Sequence, residues 1–201
     1  VAFGRLLTRS GLRSDHDVRE EVVDAGVHAE GQVASVMLQR EISTDKLRAA
    51  INGNVGKDVR VLNAEAVADD FHARYSAVQK TYVYRILNGA VASPLWIRYA
   101  HHEARALDVK AMQTCAAQFL GEHEWSAFSA VQSDVTDRVR TINSLDVIVV
   151  DDDRARERMI QIQVSANGFL RYMVRSIAGA LLAVGRGELG LTEIQDAIDT
   201  G

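Results

Sequence analysis

Asp24 lies in the run Val23-Asp24-Ala25-Gly26-Val27-His28-Ala29, where a Gly-containing loop can present a carboxylate to a substrate. An isolated Asp-x-Gly is more often a solvated turn. Two other stretches give this one weight. Residues 71–88 interleave aromatics with cations, Phe71, Tyr75, Tyr82 and Tyr84 among Arg74, Lys80 and Arg85. Rings and cations so mixed on a strand can stack on bases while holding phosphates, although on period alone Tyr82 and Tyr84 read as inward-facing strand aromatics. Residues 167–175 add Arg171 and Arg175 beside Phe169 and Tyr172. His28 and His72 have no ligand partner at metal-binding spacing and read as structural histidines, and the chain shows neither a Cys/His cluster nor a phosphate loop.

The elements that must carry these residues follow from periodicity. Residues 31–39 read as a strand leaving the Asp24 loop. A helix capped by Ser43 or Thr44 follows, with Leu47, Ala50 and Ile51 at helical spacing and Asn52-Gly53 as its stop, and a strand is expected over residues 58–67. Residues 77–88 form a strand with Tyr82, Tyr84 and Ile86 on one side and Thr81, Val83, Arg85 and Leu87 on the other. Asp108 caps a helix bearing Val109, Met112, Ala116, Phe119 and Leu120, which Gly121 stops; Cys115 on its apolar stripe reads as a buried thiol. A hairpin comes next, with strands over 139–150 and around Ile160, Ile162 and Val164, joined by the acidic turn Asp151-Asp152-Asp153. The longest helix should start after Asn167-Gly168 and reach Gly185, and a shorter one begins near Thr192. Strands and helices without strict alternation favour an α+β fold with a mixed, mostly antiparallel sheet and flanking helices.

Composition sets the class. The chain has 201 residues, 47% hydrophobic and 25% charged, enough for a substantial core in one large or two small domains. A single cysteine rules out an internal disulfide. The apolar stretch 177–184 is far short of the ~20 residues a bilayer needs, and the opening residues do not read as a charged-then-apolar leader, so a cytoplasmic location is expected. The net charge of −4 speaks against general adhesion to nucleic acid. Its distribution is uneven, however. Residues 1–13, 71–88 and 165–187 carry Arg5, Arg9, Arg13, Arg74, Lys80, Arg85, Arg171, Arg175 and Arg186 without one acid, which tilts the reading toward a polyanionic partner.

Together these stretches resemble the tRNA pseudouridine synthase A (TruA) family. The residues that carry the resemblance are Asp24-Ala25-Gly26-Val27-His28-Ala29 with Gly31-Gln32-Val33, Asp70-Phe71-His72-Ala73-Arg74 through Tyr82-Val83-Tyr84, Leu120-Gly121-Glu122-His123 through Phe128, and Asn167-Gly168-Phe169-Leu170-Arg171-Tyr172-Met173-Val174-Arg175. The resemblance spans residues 23–187. It implies the pseudouridine synthase fold, with an active-site cleft between residues 1–68, which carry the Asp24 loop, and residues 69–201, which carry Tyr82 and Arg175. It also implies an isomerase that detaches a uracil from its ribose in the tRNA anticodon stem-loop, at family positions thirty-eight to forty, turns it and rejoins it through carbon. By position Asp24 is the catalytic carboxylate, Tyr82 the ring that packs on the target base, and Arg175 the cation that pairs with the carboxylate. Arg171 and Arg74 are candidates for phosphate contacts. Such enzymes act on tRNA as homodimers, need no metal, nucleotide or redox cofactor, and have no membrane partner.

The chain departs from the family pattern in three places. Where the family writes Gly-Arg-Thr before its aspartate, this chain has Glu21-Val22-Val23, and Val22 cannot make an arginine's contacts. Residues 1–20 lack the family's first-strand signatures, and the family's final strand would lie beyond Gly201. A truncated or divergent member would show this pattern. The alternative to an isomerase is therefore a non-catalytic tRNA- or RNA-binding remnant of the same family.

Overall fold

Two long β-branched segments organise the larger part of the molecule. The structure is a computed structural model and describes residues 18–20, 27–38, 40–130 and 135–201. Glu21, Val22, Val23 and Asp24, together with the basic residues Arg5, Arg9 and Arg13, lie outside the described residues. The chain divides into two units, residues 1–77 and 78–201.

In the first unit, strands β1 (Val18–Glu20) and β2 (Ala34–Val36) pair antiparallel, and helix α1 (Thr44–Asn54) follows with Ser43 at its N-cap. Thus β2 is a shorter strand than the apolar run 31–39 predicts. The strand expected over 58–67 does not form. Its backbone finds a different partner: the Asn52 side chain accepts from Val61 N at 2.8 Å and donates to Val61 O at 2.9 Å, so a side-chain amide takes the place of a neighbouring strand.

The second unit holds a mixed five-stranded sheet with strands β3 (Lys80–Asn88), β4 (His101–Glu103), β5 (Gly121–Glu124), β6 (Val139–Val150) and β7 (Arg158–Ala166) in the order β4-β3-β7-β6-β5. All neighbours are antiparallel except β3 and β4. The sequence alternation survives in β7. Ile160, Ile162 and Val164 are buried on one face while Gln161 and Gln163 are half-buried on the other. The short strands β4 and β5 carry no alternation long enough to be read, and β4 is held mainly by its ladder to Ile86, Leu87 and Asn88.

Helices α2 (Val109–Ala116) and α3 (Met173–Gly185) share the core with the buried face of the sheet. Asp108 caps α2 as expected, accepting from Ala111 N at 2.9 Å. The helix closes earlier than predicted. It tightens into a 3-10 turn at Ala117–Phe119, and Gly121, at φ 100, opens β5 instead of ending the helix. Met112, Phe119, Trp125, Ile162, Met173, Ile177 and Leu181 are each at most 1% exposed, and burying one such side chain stabilises the fold by about 1.5–3 kcal/mol. A Cβ at Gly185 would lie 2.7 Å from Met112 Sδ, so the close approach of α3 to α2 requires glycine there. Cys115 is fully buried, and that burial pushes its thiol up to about 11. Helix α4 (Leu191–Thr200) returns Ile194 and Ile198 to the same core.

Helix α3 begins later than the periodicity of Leu170, Met173, Val174 and Ile177 indicates. Tyr172 takes φ 66 and ψ −1, a left-handed conformation that a helix cannot continue through, so residues 167–171 form an approach loop. For a bulky side chain this conformation costs about 1–2 kcal/mol.

Candidate active site

Strand β3, the approach to α3 and the first turn of α3 hold three of the five candidate residues. Tyr82 and Tyr84 alternate onto the face of β3 that packs against the core, both half-buried. Asn167 anchors the loop after β7: its Oδ1 accepts from Thr141 N at 3.0 Å and its own N–H donates to Thr141 O at 3.2 Å. Phe169 then meets Tyr82 edge to face, with ring centroids 5.1 Å apart. Leu170 and Met173 are buried on either side of the turn, and Ala130 N donates to Arg171 O at 3.0 Å. These anchors fix the backbone and leave Arg171, Tyr172 and Arg175 exposed.

The two guanidiniums converge on one ring. Arg171 Cζ lies 5.0 Å and Arg175 Cζ 5.3 Å from the centroid of Tyr172, and Arg171 Nη2 donates to Tyr172 Oη at 3.3 Å. Burial raises the Tyr84 phenol above its ordinary value while the charge of Arg175 acts in the opposite direction, so β3 and the start of α3 share one electrostatic environment. Chemically, a half-buried tyrosine held edge-on by Phe169 offers a rigid flat surface. The guanidiniums against Tyr172, at a helix N-terminus, favour an anion.

Arg74 belongs to the other unit. It is exposed in the turn after Phe71, with Cζ 5.6 Å from the Tyr75 ring, and its N–H donates to His72 Nδ1 at 3.2 Å. His72 also lies 4.3 Å from Tyr75 ring to ring, and its backbone N–H donates to Ser76 Oγ at 3.0 Å, which fits the structural role read from the sequence. Asp24, the residue assigned the central role, lies outside the described residues.

One member of the acid-free basic segments serves the scaffold. Arg186 is bound by Glu188 at 2.6 Å and Glu103 at 3.2 Å, and Arg105 joins both carboxylates at 2.7 and 3.1 Å. Hydrogen bonds from Arg105, followed by the attraction of that charge and a bond from Arg186, outweigh burial and hold the Glu103 carboxyl down at about 2. Arg186 is therefore a rivet between β4 and the end of α3, and its place in the sequence gave no sign of Glu103 as a partner. Sequence reasoning also left Phe169 and Tyr172 without roles. Phe169 stood only as part of a quoted stretch, and a left-handed tyrosine has no signature in composition or period.

Among the described residues no group of three or more His, Cys, Asp or Glu side chains could hold a metal ion, and no helix is long and apolar enough to cross a membrane.

Comparison with known proteins bears on the whole arrangement. Residues 115–201 match the family described as tRNA pseudouridine synthase. The chain is 40% identical over 178 residues to tRNA pseudouridine synthase A 2 of Clostridium perfringens, covering 89% of this chain and 70% of that protein. It is 43% identical over 175 residues to tRNA pseudouridine synthase A of Ruminiclostridium cellulolyticum, covering 87% and 69%, and 38% identical over 176 residues to tRNA pseudouridine synthase A 2 of Bacillus cereus, covering 88% and 69%. Matches of this length within 201 residues take in both units of the fold. With such identity sustained across them, the chain belongs to the tRNA pseudouridine synthase A family.

Proposed function

We propose that this chain isomerises uridine to pseudouridine in tRNA, at positions thirty-eight to forty of the anticodon stem-loop, with Asp24 as the catalytic carboxylate. Tyr82 packs on the extruded uracil, Arg175 pairs with the carboxylate, and Arg171 and Arg74 contact phosphates. The protein works as a homodimer in the cytoplasm and needs neither metal nor cofactor. The Asp24 loop belongs to an amino-terminal part, residues 1–68, and Tyr82 and Arg175 to a carboxy-terminal part, residues 69–201.

The observation that supports this most is that β3 and the loop into α3 set a half-buried tyrosine and a pair of exposed arginines around one short segment, in a chain of this family. The chemistry follows from the residue types. An aspartate buried against an apolar ring would take up a proton, and a guanidinium beside it keeps it ionised at neutral pH. So placed, the anion can attack the sugar or stabilise its developing positive charge. The target nucleotide must first leave its stack.

Val22 favours a second reading, because it cannot supply the contacts of the arginine in the family's Gly-Arg-Thr. On that reading the chain binds tRNA without turnover. Tritium release from C5-labelled uridine in tRNA distinguishes the two: release mapped to the anticodon stem-loop supports the isomerase, whereas salt-sensitive binding with no release supports the remnant. Exchanging Glu21-Val22-Val23 for Gly-Arg-Thr would then restore turnover if only the loop is impaired.

A further inference from the structure

We infer that Tyr172 is a positioning residue for Arg175, and that the left-handed turn before α3 is kept because it lays this ring against the two arginines. This rests on the reading of Arg175 as the partner of a carboxylate. Among the described residues only Arg156 and Tyr172 combine a side chain with positive φ, and Arg156 lies in the turn between β6 and β7. Tyr172 instead opens the helix that carries Arg175. A helix N-cap ordinarily takes an extended Ser, Thr, Asp or Asn whose side chain accepts from the first turn. Tyr172 makes no such side-chain bond, so its side chain does nothing for the helix end that a small residue would not do better.

The ring does something else. It remains 42% exposed and borders both Arg171 and Arg175. Tyr172 and Arg175 stand three residues apart, the spacing at which helical side chains meet. Met173, Leu170 and the Ala130–Arg171 hydrogen bond hold the backbone on both sides, which fixes the point from which the ring projects. A guanidinium laid on a ring loses rotational freedom yet still presents its N–H edge to an anion, as a cation that must meet a carboxylate in one geometry requires.

The test compares Tyr172→Gly and Tyr172→Asn, which accept the left-handed backbone without the ring, with Tyr172→Phe, which keeps the ring. Thermal midpoints and tritium release at saturating and limiting tRNA are measured for each. The ringless variants should keep or raise the midpoint while kcat falls about tenfold and KM changes less, and Tyr172→Phe should recover most of the rate. Adding Tyr172→Gly to Arg175→Ala should cause no further loss. Wild-type turnover in a folded ringless variant, or a full additional loss in the double variant, would overturn the inference and leave the functional reading standing. If the wild-type chain releases no tritium, the functional reading fails first. The inference is then decided by the Arg175 Nε–H NMR signal, expected to shift and broaden in both ringless variants but not in Tyr172→Phe; a signal indifferent to the ring would overturn it.

Discussion

At the amino-terminal end of α3, Arg171 and Arg175 lie against the ring of Tyr172, whereas just past its carboxy-terminal end Arg186 is clasped by Glu188 and Glu103. The same helix thus carries arginines in opposite electrical settings. The carbonyl end of a helix attracts cations and the amide end repels them, each effect amounting to about 0.3–1 kcal/mol. Arg186 sits where the helix field and two carboxylates favour it, and its side chain is only 17% exposed. Arg171 and Arg175 sit against that field and remain exposed. The amide end of a helix favours negative charge, and an anion near both guanidiniums and the helix amides would be held by both.

Substitutions at the two ends should therefore separate stability from activity. The largest effect is expected at Arg175. Arg175→Ala should reduce tritium release from tRNA by about 100-fold or more, with the thermal midpoint measured in parallel to confirm that the variant is folded at the assay temperature. A loss smaller than threefold would place Arg175 outside the chemistry.

At the other end, Glu103→Gln should lower the unfolding free energy by about 2 kcal/mol, because Arg186 would keep its half-buried charge with one carboxylate fewer. Urea denaturation measures this, and turnover well below the midpoint should be retained. The pH dependence has a definite sign. Folding holds the Glu103 carboxyl at about 2, against an ordinary value of 4.5, so its contribution is complete above the ordinary value and is lost as pH falls toward 2. The stability difference between wild type and Glu103→Gln should therefore be flat above about pH 5 and shrink below it. A difference that persists unchanged at pH 3 would mean that Glu103 acts through packing instead of charge.

The smallest effect belongs to Arg171. Arg171→Ala should weaken tRNA binding about three- to tenfold at low salt and reduce the salt slope by about one, as for a single phosphate contact. Filter binding across a salt series would show it. An unchanged slope would return Arg171 to the role of a surface arginine.

Sequence patterns were most legible where one force dominates. The β6–β7 hairpin follows from β-branched alternation, and the start of α2 from Asp108, whose cap bond is local. They failed where a distant partner decides. The segment 58–67 has strand composition, but Asn52 takes both backbone hydrogen bonds of Val61 within it. The start of α3 was misplaced because apolar spacing runs unbroken through Tyr172, and nothing in that spacing encodes a positive φ. The candidate site was legible in a different way. Tyr82 and Arg175 were selected by resemblance of ordered motifs, while Tyr172, which joins two of the arginines, became visible only with the ring geometry.

The central claim is that the carboxylate of Asp24 performs the reaction. The most direct measurement is tritium release from C5-labelled uridine in tRNA by the wild-type chain and by Asp24→Asn, with tRNA affinity measured in parallel. Release by the wild type and none by Asp24→Asn, at equal affinity, is the predicted result. Equal release from both proteins would contradict it.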